Sequence, residues 1–129
     1  MKRKIINQLI EWQNSSDRKP LILQGARQIG KTYIVNEFAS TQYQNSVYCN
    51  FEKETELASF FENLSTLEII KKLSVYKRKE IIPEKTLIIF DEVQACPEAI
   101  TSLKYFNEEA NQYHIIALLK KYYIFYRVK

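Results

Sequence analysis

Hydrophobic positions divide the chain into short apolar runs and longer stretches with helical spacing. The short runs predict buried strands at 21–24 (LILQ), 46–51 (SVYCNF), 86–90 (TLIIF) and 113–118 (YHIIAL). Spacings of three and four predict helices over 2–13, over 32–40, within 53–80 as one broken or two successive helices, and from about Pro97. Because strands alternate with helices, we expect an α/β fold with a parallel sheet between two helical layers.

Both glycines of the chain lie in one short segment between the first predicted strand and the next helix. The segment GARQIGKT fits the phosphate-loop pattern G-x-x-x-x-G-K-[ST]. Its residues are Gly25, Ala26, Arg27, Gln28, Ile29, Gly30, Lys31 and Thr32, and we expect all of them to form a nucleotide-binding loop. Glycine leaves room for backbone N–H groups to face phosphate oxygens, and the following helix adds its positive end. Lys31 is expected to reach the β- and γ-phosphates, and the Thr32 hydroxyl to bind Mg²⁺.

A pair of acids ends the third predicted strand in TLIIFDE. Phosphoryl transfer needs a carboxylate that holds Mg²⁺, and hydrolysis needs a group that orients the attacking water. Asp91 suits the first role and Glu92 the second. The base-reading motif N-K-x-D of GTPases is absent from the sequence, and an acid beside the magnesium-holding acid favours an ATPase over a small-molecule kinase.

The segments KPLILQGARQIGKTYIVNEFA, VYCNFE, TLIIFDEVQACPEAITSLKYFNEE and YHIIA together resemble AAA-type ATP-binding proteins of bacteria and archaea. The resemblance covers residues 3 to about 117, and GARQxGKT with DExQxCP is more specific than a generic phosphate loop. It implies a three-layer P-loop NTPase fold, ATP and Mg²⁺ as cofactors, and a C-terminal domain of unknown function in typical members. It also implies that Lys31 and Glu92 are catalytic and that Thr32 and Asp91 hold the metal.

The resemblance ends after Ala117, where LLKKYYIFYRVK replaces the expected small-residue turn with a polar sensor. We therefore predict a partial ATPase core over 1–118, a divergent tail over 119–129, and no fifth strand or lid. In the expected strand order LILQ would then be an exposed edge that favours self-association. We therefore expect a truncated or frame-shifted gene product in which hydrolysis is weak or lost.

The charge of the chain argues against a general affinity for nucleic acid. Its formal net charge is +4, but Lys120, Lys121, Arg127 and Lys129 supply the whole excess, so residues 1–118 carry no net charge. The apolar tail falls short of the ~20 residues that a membrane-spanning helix needs. The two cysteines have no metal-ligand spacing and no secretory signal precedes them, which favours a reducing, cytoplasmic setting.

Three functions remain open from the sequence. The first is an ATP-binding domain, the second a non-enzymatic remnant that self-associates or binds a partner through its sheet edge, and the third nucleic-acid binding through the basic tail. Arg27 could contact either phosphate or solvent. His114, the only histidine, is expected in the core because it lies in an apolar strand.

Overall fold

The computed structural model describes residues 2–25 and 29–120, which form an α/β fold around a sheet of four parallel strands. The strands are β1 (Leu21–Gly25), β2 (Asn45–Asn50), β3 (Thr86–Asp91) and β4 (His114–Lys120). The helices are α1 (Lys2–Asn14), α2 (Ile29–Gln42), α3 (Thr66–Lys77) and α4 (Pro97–Glu109), with 3-10 helices at Thr55–Phe61 and Val93–Ala95. The predicted three-layer fold with a four-stranded parallel sheet is confirmed.

The strands are arranged in the order β1-β4-β3-β2, and every neighbouring pair is parallel. Strands β3 and β4 occupy the centre and are buried along almost their whole length. Strand β1 pairs with β4, and among the described residues no strand lies on its other side. The predicted place of LILQ beside the fourth strand is therefore confirmed, and Ile22 at this edge is 41% exposed.

Alternate residues of the central strands face two separate hydrophobic cores. Helices α1 and α2 cover one face, whereas α3, α4 and the 3-10 helices cover the other. On the α2 side the strands contribute Leu87, Ile89, Ile116 and Leu118, and on the opposite side Ile88, Phe90, Ile115 and Ala117. Because side chains alternate along a strand, Asp91 lies on the same face as Ile89, toward α2.

Several element boundaries differ from the prediction, and the differences in α2 and β4 concern the predicted phosphate loop and the predicted tail. Helix α2 begins at Ile29, so the prediction that the loop runs to Thr32 is wrong, and Gly30 to Thr32 form the first helical turn. The N–H groups of a first turn have no partner within the helix, so apolar spacing does not mark where the helix begins. Strand β4 continues to Lys120, two residues beyond the boundary expected at 118.

Residues 53–80 contain two successive helices, one of the two arrangements that the sequence allowed. The 3-10 helix Thr55–Phe61 comes first, and α3 follows after a short turn. Ser65 caps α3 because its hydroxyl accepts a hydrogen bond from the backbone N–H of Glu68 at 3.3 Å. This α3 layer packs on the face of the sheet that is turned away from α2.

Candidate functional site

The threonine of the predicted phosphate loop and the aspartate at the end of β3 are in contact at the carboxyl edge of the sheet. Parallel strands end at the same edge, so β1 delivers the chain into α2 close to the end of β3. Thr32 lies in the first turn of α2, and its Oγ1 donates a hydrogen bond to Asp91 Oδ2 at 3.3 Å. The fold therefore brings together two residues that are 59 positions apart in the sequence.

Both carboxylate oxygens of Asp91 accept hydrogen bonds, and the side chain is buried. Oδ1 accepts from the backbone N–H of Glu92 at 2.8 Å, and Oδ2 accepts from the hydroxyl groups of Thr32 and Tyr48. Burial, with a contribution from Asp91, raises the pKa of Tyr48 well above its ordinary value. The phenol is therefore protonated at neutral pH and acts as the donor.

The Lys31 side chain lies across the end of β1, directly over Gly25. A Cβ atom on Gly25 would stand 2.4 Å from Lys31 Cε and 3.0 Å from Nζ. Neither Gly25 nor Gly30 has a positive φ angle. An alanine at Gly25 would therefore displace the end of the Lys31 side chain, whereas the backbone at this position is not left-handed.

The second glycine lies beside open space. A Cβ atom on Gly30 would have no neighbour within 4 Å among the described residues, its own helical backbone aside. Helix α2 has no acidic residue in its first turn, so no carboxylate of this turn neutralises the positive end of the helix. A backbone without a side chain, next to Lys31 and Thr32 and at a helix N-terminus, suits a bound anion.

Glu92 follows Asp91 in a left-handed backbone conformation, with φ of 53° and ψ of 44°. This conformation is uncommon for a residue other than glycine and turns the chain sharply at the end of β3. The Glu92 carboxylate is largely buried. Its Oε1 accepts a hydrogen bond from Gln94 Nε2 at 2.8 Å and lies 3.2 Å from Lys120 Nζ. In this structure the second acid of the pair is therefore held by two partners.

A protein-family model with the description "AAA domain" matches residues 17–118, which is more than half of the chain. The chain belongs to the AAA domain family. The predicted resemblance is confirmed at this level, and the family indicates a nucleotide-binding domain of the AAA type. No curated protein and no solved structure matches the chain.

The matched region of this AAA domain includes every residue from β1 to the first five positions of β4. Gly25, Lys31, Thr32, Asp91 and Glu92 all lie within it. Helix α1 precedes the match, although its Leu9 packs into the α2-side core. The candidate site is thus made of residues that belong to the family domain.

The side-chain oxygen atoms at the candidate site of this AAA domain fit Mg²⁺ only when a bound ligand supplies further oxygen atoms. Within the residues 2–25 and 29–120, no group of three or more His, Cys, Asp or Glu side chains is placed to hold a metal ion. Thr32 Oγ1 and Asp91 Oδ2 offer two adjacent oxygen atoms. Mg²⁺ prefers oxygen ligands and is commonly bound by one or two carboxylates plus phosphate and water. The two side chains therefore fit a cation that arrives with a phosphate group.

Sequence reasoning gave no role to three residues that the fold brings to the two acids. Tyr48 on β2 reaches Asp91, and Gln94 and Lys120 reach Glu92. Gln94 also accepts a hydrogen bond from the backbone N–H of Lys120 at 3.3 Å. For Tyr48 the available signal was the alternation in SVYCNF, which gives it the same face as Asn50 at the end of a strand, and for Gln94 it was the motif DExQxCP.

His114 lies at the opposite end of the sheet from the candidate site. It is 4% exposed, its Nδ1 is 2.6 Å from the Tyr43 hydroxyl, and its ring packs edge-on against Trp12. Burial, with the nearby Arg18, lowers the pKa of His114 to about 4. The expectation that this histidine belongs to the core agrees with its position.

Part of the predicted phosphate loop and most of the tail cannot be compared with the structure. Ala26, Arg27 and Gln28 of the phosphate loop, and residues 121–129 of the tail, lie outside the described residues, as does the side chain of Ile29. Cys49 and Cys96 are both buried free thiols. Among the described helices, none combines the length and the apolar character that crossing a membrane requires.

Proposed function

We propose that this AAA domain binds ATP together with Mg²⁺ at the carboxyl edge of its sheet. The segment from Gly25 to Thr32, including Ala26, Arg27, Gln28, Ile29 and Gly30, contacts the phosphates. Thr32 and Asp91 hold the metal. The contact of 3.3 Å between Thr32 Oγ1 and Asp91 Oδ2 carries the proposal, because a hydroxyl and a carboxylate from distant segments meet beside a helix N-terminus.

Hydrolysis of the bound nucleotide is assigned to Lys31 and Glu92. The Lys31 ammonium compensates negative charge on the β- and γ-phosphates, and the Glu92 carboxylate orients a water molecule for attack on the γ-phosphate. The contacts of Glu92 with Lys120 and Gln94 support a slow reaction, because both are made through Oε1 and restrict the movement of the carboxylate toward a water molecule.

Calorimetric titration with ATP, with and without Mg²⁺, tests the binding site. Lys31→Ala should weaken ATP binding by about tenfold or more, since a charge-assisted contact contributes about 1.5–3 kcal/mol. Lys72→Ala is the matched control, because Lys72 is an exposed lysine of α3 in the other helical layer. Equal ATP affinities for the parent protein and Lys31→Ala would refute the site.

Glu92→Gln separates binding from hydrolysis. The amide keeps the shape of the side chain but does not accept a proton, so turnover should fall by about a hundredfold or more. ATP affinity should stay within about threefold of that of the parent. If released phosphate in a single-turnover measurement appears at the same rate in both proteins, Glu92 is not the group that activates water.

Self-association through β1 is a second candidate function, favoured by the sheet edge. Among the described residues β1 pairs only with β4, and Ile22 exposes 41% of its surface there. Ile22→Lys should abolish any concentration-dependent increase in molecular mass. Val75→Lys introduces the same charge on α3, where Val75 is 79% exposed, and should leave the mass distribution unchanged.

We also propose a kinship, a cellular compartment and a division of the chain. The motifs GARQxGKT and DExQxCP support kinship with bacterial and archaeal ATP-binding proteins. The buried free thiols of Cys49 and Cys96 support a reducing compartment such as the cytoplasm. Residues 1–118 form the proposed nucleotide-binding unit, and 119–129 form the divergent tail, of which Leu119 and Lys120 complete β4.

A further inference from the structure

We propose that Tyr48 is a positioning residue for the metal site, and that its hydroxyl fixes the Asp91 carboxylate in the orientation that receives the cation. This inference rests on the proposed function. Asp91 is fixed at both oxygens, by the Glu92 N–H at Oδ1 and by the Tyr48 hydroxyl at Oδ2. With both anchors in place the carboxylate does not rotate, and Oδ2 remains directed at Thr32.

The parallel register explains why Tyr48 reaches this carboxylate. Tyr48 of β2 is paired with Ile89 of β3, and Asp91 lies two residues further along on the same face. The long phenol side chain spans that distance toward the end of the strand. A shorter side chain at this position would not bring a donor to Asp91.

A chain of hydrogen bonds determines the direction in which the Tyr48 proton points. Asn50 Oδ1 accepts from the backbone N–H groups of Glu52 and Lys53, both at 3.0 Å, so the amide nitrogen must point the other way. Asn50 Nδ2 donates to the Tyr48 oxygen at 3.4 Å. The Tyr48 oxygen thus acts as an acceptor toward Asn50 and gives its own proton to Asp91.

The lone pairs of Asp91 leave room for a cation when Tyr48 stays in place. A carboxylate offers about four acceptor positions, and Glu92, Tyr48 and Thr32 use one each. When the Thr32 oxygen turns a lone pair toward a metal ion, its proton leaves Oδ2 and frees the position that faces the metal. Tyr48 would then keep the other position on Oδ2 and hold the orientation of the carboxylate.

The test compares the Mg²⁺ requirement of ATP binding in three proteins: the parent, Tyr48→Phe and Tyr113→Phe. Tyr113 is a half-buried tyrosine that packs against Phe106 near the amino end of β4, and its substitution removes the same single hydroxyl. Loss of an outer-shell partner typically weakens metal binding by about 10–100-fold. We therefore expect Tyr48→Phe to raise the Mg²⁺ concentration for half-maximal ATP binding by about tenfold or more.

Two further measurements separate positioning from general damage. ATP affinity in EDTA should be the same for Tyr48→Phe and the parent, because the phosphate loop is untouched. Tyr113→Phe should keep the parent's Mg²⁺ requirement. If Tyr48→Phe does not fold, Asn50→Ala carries the test, since it removes the group that orients the phenol and should shift the Mg²⁺ requirement in the same direction.

The outcomes distinguish this inference from the proposed function. If the parent binds ATP, Lys31→Ala loses binding and Tyr48→Phe keeps the parent's Mg²⁺ requirement, only the role of Tyr48 is overturned. A parent protein that binds no ATP at any Mg²⁺ concentration overturns both. A weaker ATP affinity of Tyr48→Phe that is equal with and without Mg²⁺ also contradicts the role, because it shows structural damage to the whole site.

Discussion

Glu92 Oε1 and Lys120 Nζ lie 3.2 Å apart and join the ends of β3 and β4. Their side chains expose only 11% and 20% of their surfaces. Gln94 ties the same two residues together, since its amide donates to Glu92 and accepts from the Lys120 backbone. The acid to which we assign water activation is therefore held, in the free protein, by a cation from the neighbouring strand.

Loss of this ion pair should measurably destabilise the fold. Lys120→Met leaves the largely buried Glu92 carboxylate without its cation, so the free energy of unfolding should fall by about 1–3 kcal/mol. A double-mutant cycle with Glu92→Gln, measured by urea unfolding, should give a coupling energy of about 1–2 kcal/mol. The control is a second double-mutant cycle, Lys2→Met with Glu37→Gln. It removes a more exposed ion pair and should give a much smaller coupling energy. Additive effects of Lys120→Met and Glu92→Gln would contradict the arrangement.

Gly25→Ala should impair ligand binding while it leaves the fold intact. The φ angle of Gly25 is not positive, so the backbone tolerates alanine, but the new methyl group meets the Lys31 stem. Because Lys31 must move, ATP affinity should fall by about tenfold or more, as for loss of one charge-assisted contact. The free energy of unfolding without nucleotide, measured by thermal denaturation, should remain within about 1 kcal/mol of that of the parent. A large drop in stability with unchanged ATP affinity would assign Gly25 to the fold instead.

Gly30→Ala should make the free protein more stable and a poorer ligand binder. Gly30 lies in the first turn of α2, where alanine should be favoured over glycine by less than the about 0.5–1 kcal/mol of a helix interior, and its Cβ would meet no described atom. The methyl group would fill the open space beside Lys31 and Thr32 and so exclude a phosphate. Ser40→Ala on the exposed part of α2 is the control, which should not weaken ATP binding. Equal ATP affinity for Gly30→Ala and the parent would mean that phosphate does not approach this backbone.

Stability should depend on pH through His114. Its pKa is lowered from an ordinary value of 6.5 to about 4 in the folded protein, so between these values the unfolded chain binds more protons. The free energy of unfolding should therefore fall as the pH drops below about 6.5, by roughly 2 kcal/mol between pH 7 and pH 5. Urea unfolding at several pH values measures this slope. In His114→Asn, which does not titrate but keeps an acceptor for Tyr43, the decrease over that interval should largely disappear.

The local parts of the site were predictable because each depends on a short segment. An apolar strand followed by GARQIGKT predicts a phosphate loop, and TLIIFDE predicts a strand that ends in acids. The expectation that Thr32 and Asp91 hold one metal ion requires them to be close, and they are in contact because the ends of parallel strands share an edge. The start of α2 was predicted three residues too late, because first-turn residues carry no apolar periodicity.

The sequence by itself determined the α/β alternation, the motif GARQIGKT with its two glycines, and the acids at positions 91 and 92, because each of these features lies in a contiguous segment. Only the tertiary structure decided that Tyr48 holds Asp91 and that Lys120 holds Glu92. Such contacts depend on the register of parallel strands that are joined by long helical connections. That register is set by packing on both faces of the sheet, and no short segment of the chain contains it.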